Sequence, residues 1–195
     1  MSKDSANSAN PAPSPWNLPN AITVVRILLV PLFIWLELHF GLGSAQAWWG
    51  VLVFVVAIST DGIDGAIARR RGLITNLGKI LDPIADKALT GAGFLLLAFY
   101  SFVPWWAVIL ILVREIGITV YRLIVVQRVV IAASGGGKLK TVLQAIVIPL
   151  LLSPAMVWAT WIQIFAQILF WITALITLAT GAQYVMAAVR SNRAS

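Results

Sequence analysis

Long uninterrupted apolar segments constrain the fold of this sequence more than any other feature. Two of them read VVRILLVPLFIWLEL, from residue 24 to residue 38, and WWGVLVFVVAIST, from residue 48 to residue 60. A helix of roughly 20 such residues crosses the hydrocarbon core of a bilayer, which is about 30 Å thick. A transmembrane β-strand would instead alternate apolar and polar residues over about ten positions. The continuous runs therefore predict an all-α, polytopic membrane protein.

The composition agrees with this class and excludes several kinds of site. The 195 residues are 60% hydrophobic and 11% charged, whereas a soluble domain is about half apolar and a quarter charged. There is no cysteine and only one histidine, His39, so disulfides, thiolate nucleophiles and Cys- or His-rich metal sites are excluded. The net charge of +7 follows from cations beside the membrane, and we expect no nucleic-acid partner.

The chain divides into a tail and one membrane domain. Residues 1–15, rich in Ser, Asn, Pro and Ala, are predicted to be disordered, and residues 16–195 form the membrane domain. Six apolar segments predict six transmembrane helices, at about 20–40, 45–70, 78–101, 105–130, 140–158 and 161–190.

The charges predict the orientation of these helices. Cations surround the second and fourth connections and both ends of the chain, at Lys3, Arg26, Arg69, Arg70, Arg71, Lys79, Arg122, Arg128, Lys138, Lys140, Arg190 and Arg193. The other connections, GLGSAQA, SFVP and SPAMVWATW, carry no charge and are flanked by tryptophans. Cationic connections face the cytoplasm and tryptophans mark the interfaces. Both termini are therefore predicted to be cytoplasmic.

The first apolar segment has an alternative interpretation as a cleaved signal peptide. Arg26, the apolar run and the small residues AQA at 45–47 have the order of such a peptide. Glu37 and His39 interrupt the approach to AQA, and the segment is long enough to span the membrane. We therefore expect helix 1 to be retained, which the intact mass of the protein tests.

Four aspartates interrupt the apolar pattern, in STDGIDGAIARRRGLITNLGKILDPIADK at 59–87. Asp61 and Asp64 are three residues apart at the end of helix 2, and Asp82 and Asp86 are four apart at the start of helix 3. Both spacings place a carboxylate pair on one helix face. Because a short connection makes the two helices antiparallel neighbours, the pairs can face each other.

Four carboxylates at membrane depth need compensation. Each charged side chain costs on the order of 3 kcal/mol at the bilayer centre, and Arg69 and Lys87 cannot neutralise all four. Either some aspartates are protonated or divalent cations lie among them. Ligands that are all oxygen favour two Mg²⁺ or Mn²⁺ ions, with Ca²⁺ possible. The alternative is a set of plain salt bridges to nearby Arg and Lys.

Small residues lie in register with the aspartates. Gly65 and Ala68 share the stripe of the first pair, and Gly78 precedes Asp82 by one turn. They leave room for a ligand to approach the backbone, although small residues also serve ordinary helix packing in membranes. Arg69 is placed to hold a phosphate through its guanidinium fork. Two metals, an arginine and phosphate-sized space are typical of phosphoryl or phosphodiester transfer.

The same residues resemble a known family. The stretch fits D-x-x-D-G-x-x-A-R-x8-G-x3-D-x3-D without departure, which is the signature of the CDP-alcohol phosphotransferases. The resemblance extends over nearly the whole chain apart from the tail. It implies six spans with cytoplasmic termini in the cell membrane, an active site on the cytoplasmic side and a homodimer.

The resemblance also implies roles for individual residues. Asp61, Asp64 and Asp82 would coordinate two metal ions, and Asp86 would contribute to the second and act as the general base. The CDP-lipid would be held by Gly65, Ala68, Arg69, Thr75 and Gly78. Asn20, Thr23 and Arg26 lie at the cytoplasmic mouth of helix 1 and are predicted to border the nucleotide, with helix capping as the alternative role of Asn20.

The acceptor must be recognised elsewhere. An arginine well inside an apolar helix is functional by default, and four cations on helices 4 and 5 are predicted to bind an anionic acceptor, namely Arg114, Arg122, Lys138 and Lys140. The alternative is that Arg114 pairs with Glu115 or another acid and that the lysines are inside-facing loop charges.

Four segments resemble the phosphatidylglycerophosphate synthase branch of the family: NLPNAITVVRILLVP, DPIADKALTGA, VREIGITVYR and GGGKLKTVLQ. This resemblance implies transfer of a phosphatidyl group from CDP-diacylglycerol to sn-glycerol 3-phosphate. Inositol phosphate, serine and phosphatidylglycerol are the alternative acceptors. A divalent-cation transporter and a non-catalytic lipid-binding scaffold are the alternatives of other classes.

Overall fold

The computed structural model describes the backbone of residues 17–71, 75–125 and 135–193, and within these the side chains of residues 17–62, 75, 77–124 and 139–186. The described ranges contain helices and no strand, which confirms the all-α class for this part of the chain. The described part of the chain contains six α-helices: α1 (Leu18–Phe40), α2 (Trp48–Arg71), α3 (Asn76–Phe99), α4 (Trp105–Val125), α5 (Gly135–Leu152) and α6 (Thr160–Arg193). Two short 3₁₀ helices, Ala45–Ala47 and Pro154–Val157, precede α2 and α6.

The helix boundaries differ from the predicted ones mainly at the two ends of α5. The predicted range is about 140–158, whereas the helix begins at Gly135 and ends at Leu152. Pro154 lacks a backbone N–H and disfavours helical backbone at Ser153, so the α-helix stops and a 3₁₀ turn follows. The predicted end of helix 4, at 126–130, and the predicted disordered tail lie outside the described residues.

Within the described residues, three helices are long and apolar enough to cross a membrane, over Leu18–Phe40, Ala45–Gly62 and Thr160–Met186. By contrast, α3 and α4 carry charged residues along their length, from Lys79 to Lys87 and from Arg114 to Arg122. Apolar helices of this kind agree with a membrane protein. Six spans remain a prediction, since α3, α4 and α5 do not reach this length of apolar sequence within the described residues.

The α3 helix lies at the centre of the bundle and packs against α1, α2, α4 and α5. Aromatic pairs fill the core: the ring centroids of Phe33 and Phe54 are 5.3 Å apart, and those of Phe94 and Phe170 are 6.5 Å apart. Large apolar side chains cover the outside of the bundle, as lipid contact requires, and several polar side chains are buried within it.

The two ends of the bundle differ in chemistry. The rings of Trp48 and Trp158 lie 6.0 Å apart, which brings the uncharged connections after α1 and α5 to the same end. Exposed tryptophans gather at this end, at Trp48, Trp49, Trp105, Trp106, Trp158 and Trp161. The aspartates and most of the described cations lie toward the opposite ends of their helices.

Candidate active site

One face of α1 holds the polar end of the bundle together. Asn20, Thr23 and Arg26 are spaced three residues apart, so they lie along one side of the helix. We call these residues the α1 stripe. All three are buried. Asn20 contacts Thr75 before α3, Thr23 contacts Asp82 within α3, and Arg26 contacts α2. The stripe therefore fixes the relative positions of α2 and the start of α3.

Arg26 binds the end of α2 on which the first aspartate pair lies. Its Nη1 is 2.7 Å from Oδ1 of Asp61, and its Nε lies 3.0 Å from the carbonyl oxygen of Ala57 and 3.3 Å from Oγ1 of Thr60. The Arg26 side chain is 1% exposed, whereas that of Asp61 is 45% exposed. The arginine thus anchors, from inside the bundle, a carboxylate that lies at its edge.

Asp82 is held by a hydroxyl group. Oγ1 of Thr23 lies 2.7 Å from Oδ1 of Asp82 and 3.1 Å from the carbonyl oxygen of Pro19, so its single proton is available to either acceptor. Among the described side chains, no Lys or Arg forms a salt bridge with Asp82. The contact with a neutral hydroxyl leaves the negative charge of Asp82 in place, as a cationic ligand requires.

The start of α3 is fixed by a cap that also contacts α1. Oγ1 of Thr75 accepts a hydrogen bond from the Gly78 amide at 3.0 Å and another from Nδ2 of Asn20 at 2.8 Å. A Cβ at Gly78 would lie 2.6 Å from Oδ1 of Asn20, so Gly78 is needed for this helix contact. Capping of α1 by Asn20 is wrong, because the cap is Asn17, whose side chain accepts from the Asn20 amide at 3.0 Å.

A second polar group surrounds Glu115 and joins three helices. The Glu115 carboxylate is 2.6 Å from Nζ of Lys140, 2.7 Å from Nη1 of Arg114 and 3.0 Å from Nζ of Lys87. We call these four residues the Glu115 cluster. Nη2 of Arg114 also donates to Oγ1 of Thr180 at 2.9 Å, which ties the cluster to α6.

Lys87 connects the Glu115 cluster to the aspartates. Its Nζ lies 2.6 Å from Oδ2 of Asp86 and 3.0 Å from Oε2 of Glu115. Lys87, Arg114 and Lys140 contribute three positive charges, and Asp86 and Glu115 contribute two negative charges. The group thus has a formal charge of +1, so a cation-rich patch adjoins the aspartates.

The predicted acceptor residues do not all lie together. The structure brings Arg114 and Lys140 to the same carboxylate, which confirms the alternative that Arg114 pairs with Glu115. Lys140 is 7% exposed, so the interpretation of this lysine as a loop charge is wrong. Arg122 instead donates from Nε to Oη of Tyr184 at 2.9 Å, with its guanidinium 4.9 Å from that ring's centroid. The Lys138 side chain lies outside the described residues.

Part of the predicted metal site can be placed. Asp61 on α2 and Asp82 and Asp86 on α3 supply oxygen donors at the same end of the bundle, a donor type that fits a hard divalent cation. Within the described side chains, no three acidic or histidine residues converge on one point. The backbone of Asp64, Gly65, Ala68 and Arg69 belongs to α2, but their side chains lie outside the described part.

The sequence also contained a signal for contacts that we did not predict. Arg26 lies inside an apolar helix, where a charge requires a partner. The sequence predicts for it only a cytoplasmic-side position bordering the nucleotide, although the same burial of a charge identifies Arg114 as functional. The spacing of Asn20, Thr23 and Arg26 could have identified one polar face, whereas the meeting of Lys87, Glu115 and Lys140 depends on helix packing.

Comparison with known proteins agrees with the signature. The CDP-alcohol phosphatidyltransferase family matches residues 16–189. A probable phosphatidylglycerophosphate synthase of Mycobacterium tuberculosis is 42% identical over 176 residues, which cover 89% of this chain and 82% of that protein. A CDP-diacylglycerol–glycerol-3-phosphate 3-phosphatidyltransferase of Bacillus subtilis is 36% identical over 180 residues, covering 87% and 93%, respectively. The protein of that name in Rickettsia typhi is 37% identical over 173 residues, covering 88% and 96%. The chain belongs to the CDP-alcohol phosphatidyltransferase family and is an enzyme of this class.

Proposed function

We propose that the enzyme transfers the phosphatidyl group of CDP-diacylglycerol to sn-glycerol 3-phosphate, giving phosphatidylglycerophosphate and CMP. The observation that carries this proposal is the contact of Lys87 with both Asp86 and Glu115, 2.6 and 3.0 Å away. This contact places a patch of net positive charge directly beside an aspartate of the family signature. The Asp86 carboxylate suits the hydroxyl of the acceptor, and the neighbouring cations suit its phosphate. The names of the relatives support the same acceptor.

The four aspartates are proposed to hold two divalent ions, Mg²⁺ or Mn²⁺. Asp61, Asp64 and Asp82 would coordinate the two ions, and Asp86 would contribute to the second. The oxygen donors and the hydroxyl-paired state of Asp82 support this assignment. When bound, the ions lower the pKa of the acceptor hydroxyl and stabilise the charge that develops on the phosphates.

The reaction itself is a single displacement. The acceptor hydroxyl oxygen forms a bond to the β-phosphorus of CDP-diacylglycerol, and the bond between that phosphorus and the bridging oxygen breaks. CMP leaves with the bridging oxygen, and the hydroxyl proton passes to Asp86 as general base. Lys87 holds the Asp86 carboxylate from one side, so it orients the base toward the acceptor.

The remaining predicted residues are assigned to the two substrates. Gly65, Ala68, Arg69, Thr75 and Gly78 are proposed to hold the CDP group, and Asn20 and Thr23 support it from α1 through Thr75 and Asp82. The acceptor phosphate is proposed to bind among Arg114, Arg122, Lys138 and Lys140. The surplus positive charge around Glu115 supports this second assignment for Arg114 and Lys140.

Six spans, cytoplasmic termini and a cytoplasm-facing site in the cell membrane form part of the proposal. The described cations lie mostly at the aspartate end of the bundle, and cationic ends face the cytoplasm, which supports this orientation. We also propose a homodimer, which rests on the family resemblance alone. Native mass measurement of the protein in detergent tests the oligomer.

The activity is tested with purified protein in detergent. CMP should be released only when CDP-diacylglycerol, glycerol 3-phosphate and Mg²⁺ or Mn²⁺ are all present, and EDTA should abolish the release. Inositol phosphate, serine and phosphatidylglycerol serve as competing acceptors. Activity with one of these and none with glycerol 3-phosphate would refute the acceptor assignment. Metal flux into liposomes without any CMP release would favour a transporter.

A further inference from the structure

Glu115 has more cationic partners than a buried carboxylate needs. Its side chain is 5% exposed, and nitrogens of Lys87, Arg114 and Lys140 all lie within 3.0 Å of its oxygens. One well-placed cation would neutralise one carboxylate. Three cations brought together inside a bundle repel each other unless an anion lies between them. Glu115 therefore serves as the anion that keeps this group assembled.

Buried donors without acceptors lie in the same part of the bundle. Nε of Arg114 is buried and has no hydrogen-bond acceptor among the described residues. The same holds for Nε2 of Gln144, one turn beyond Lys140 on α5, and for Oγ1 of Thr177, three residues before Thr180 on α6. Because buried donors are normally paired, these groups have unused hydrogen-bonding capacity for further acceptor oxygens. A phosphate group provides several of them.

We propose that Glu115 is a specificity-determining residue. In the free enzyme its carboxylate binds Lys87, Arg114 and Lys140 in place of the acceptor phosphate, and it releases some of these cations when the acceptor binds. This inference rests on the proposed function. Carboxylate and phosphate oxygens are bound by the same Lys and Arg nitrogens, so the incoming phosphate finds these nitrogens already gathered. An uncharged alcohol cannot compete with Glu115 for them. The carboxylate thereby selects acceptors that carry an anion.

A set of three variants changes the charge of the Glu115 cluster and its neighbour Asp86 while preserving the approximate size of the side chains. These five residues have a formal charge of +1 in the wild type; Glu115→Gln gives +2, Lys140→Gln gives 0, and the double variant restores +1. Inorganic phosphate is the probe, measured both as an inhibitor competing with glycerol 3-phosphate and by its effect on the thermal unfolding midpoint. We expect phosphate to bind roughly tenfold more tightly to Glu115→Gln and roughly tenfold more weakly to Lys140→Gln. The double variant should lie near the wild type.

The kinetic constants of Glu115→Gln should separate. The KM for glycerol 3-phosphate should fall in parallel with the inhibition constant of phosphate. The kcat should fall for a different reason, because Lys87 loses one of the two carboxylates that position it. A purely structural ion pair would instead lower the unfolding midpoint of both single variants without tightening phosphate binding. Glu37→Gln is the matched control, since it removes another buried carboxylate at the tryptophan end of the bundle, and should leave phosphate binding unchanged.

The outcome that would overturn the inference is phosphate binding to Glu115→Gln that equals or falls below wild-type binding. If this variant does not fold, the double variant decides. Phosphate binding by the double variant that is close to the wild type supports the inference, and binding as weak as that of Lys140→Gln alone refutes it. Failure of the wild-type protein to use glycerol 3-phosphate would refute the proposed function instead. An active wild type with variants that do not follow the charge series would refute this inference alone.

Discussion

Nη1 of Arg26 on α1 lies 2.7 Å from Oδ1 of Asp61 on α2, and this contact joins a buried cation to a half-exposed carboxylate of the signature. Nε of the same guanidinium also lies within hydrogen-bonding distance of the Ala57 carbonyl and the Thr60 hydroxyl. The planar fork of an arginine can make these contacts together, whereas the single ammonium of a lysine cannot. Arg26 is therefore a positioning residue for Asp61.

Arg26→Lys should reduce activity although the charge is kept. Loss of one or more hydrogen bonds to charged groups costs about 1.5–3 kcal/mol, so we expect kcat/KM to fall by roughly tenfold or more. The Mg²⁺ concentration for half-maximal CMP release should rise, because Asp61 is less well placed. The exposed residue Lys79 offers the reciprocal control, Lys79→Arg, which should match the wild type. Activity of Arg26→Lys within twofold of the wild type would contradict this role.

Thr23→Val tests the hydroxyl that holds Asp82. Valine keeps the shape of threonine but removes the donor that lies 2.7 Å from Oδ1 of Asp82. A net loss of about 1 kcal/mol predicts an activity roughly fivefold lower and a higher Mg²⁺ requirement, with little change in the unfolding midpoint. Thr23→Ser keeps the hydroxyl and should retain most of the activity. Equal losses in both variants would assign the effect to packing of the methyl group instead.

The helices and the aspartate pairs were predictable because their signals are local. Continuous apolar runs give the described ends of the α-helices other than α5 to within a few residues, and spacings of three and four place each acid pair on one helix face. The end of α5 also has a local signal, because Pro154 stops the α-helix before Ser153.

The partners of the charged residues were less predictable because they lie far apart in the chain. Lys87, Glu115 and Lys140 come from α3, α4 and α5, and only the packing of these helices brings them within hydrogen-bonding distance. The sequence predicts that Arg114 and Lys140 bind the acceptor. It offers Glu115, which lies between them in the structure, only as an alternative partner of Arg114. A single sequence does not reveal which of several polar residues meet.

Gly78→Ala tests the contact between α1 and the start of α3. The added Cβ would lie 2.6 Å from Oδ1 of Asn20 and 3.2 Å from Oγ1 of Thr75, so Asn20 must move and its bond to Thr75 is lost. We expect a destabilisation of about 1–3 kcal/mol, seen as a lower unfolding midpoint, together with reduced CMP release.

Two variants control the Gly78 experiment. Gly117→Ala adds the same methyl group to α4, where it would meet no neighbouring group outside its own helix backbone within 4 Å, and should be neutral or slightly stabilising because alanine favours helix. In an Asn20→Ala background the clash is absent, so Gly78→Ala should cost less than in the wild type. If the two costs add without coupling, the contact with Asn20 does not explain the glycine.

Asp86→Asn tests the general base. Asparagine keeps the size of aspartate but cannot take up the hydroxyl proton, so turnover should fall by roughly 10²–10⁴-fold. Binding of CDP-diacylglycerol should persist, because Asp61, Asp64 and Asp82 remain to hold the metal ions and the CDP-binding residues are unchanged. Retained binding, measured with purified protein and labelled CDP-lipid, separates loss of the base from loss of the fold. Near-normal CMP release by this variant would exclude Asp86 as the base, and loss of CDP-lipid binding would assign it to substrate or metal binding instead.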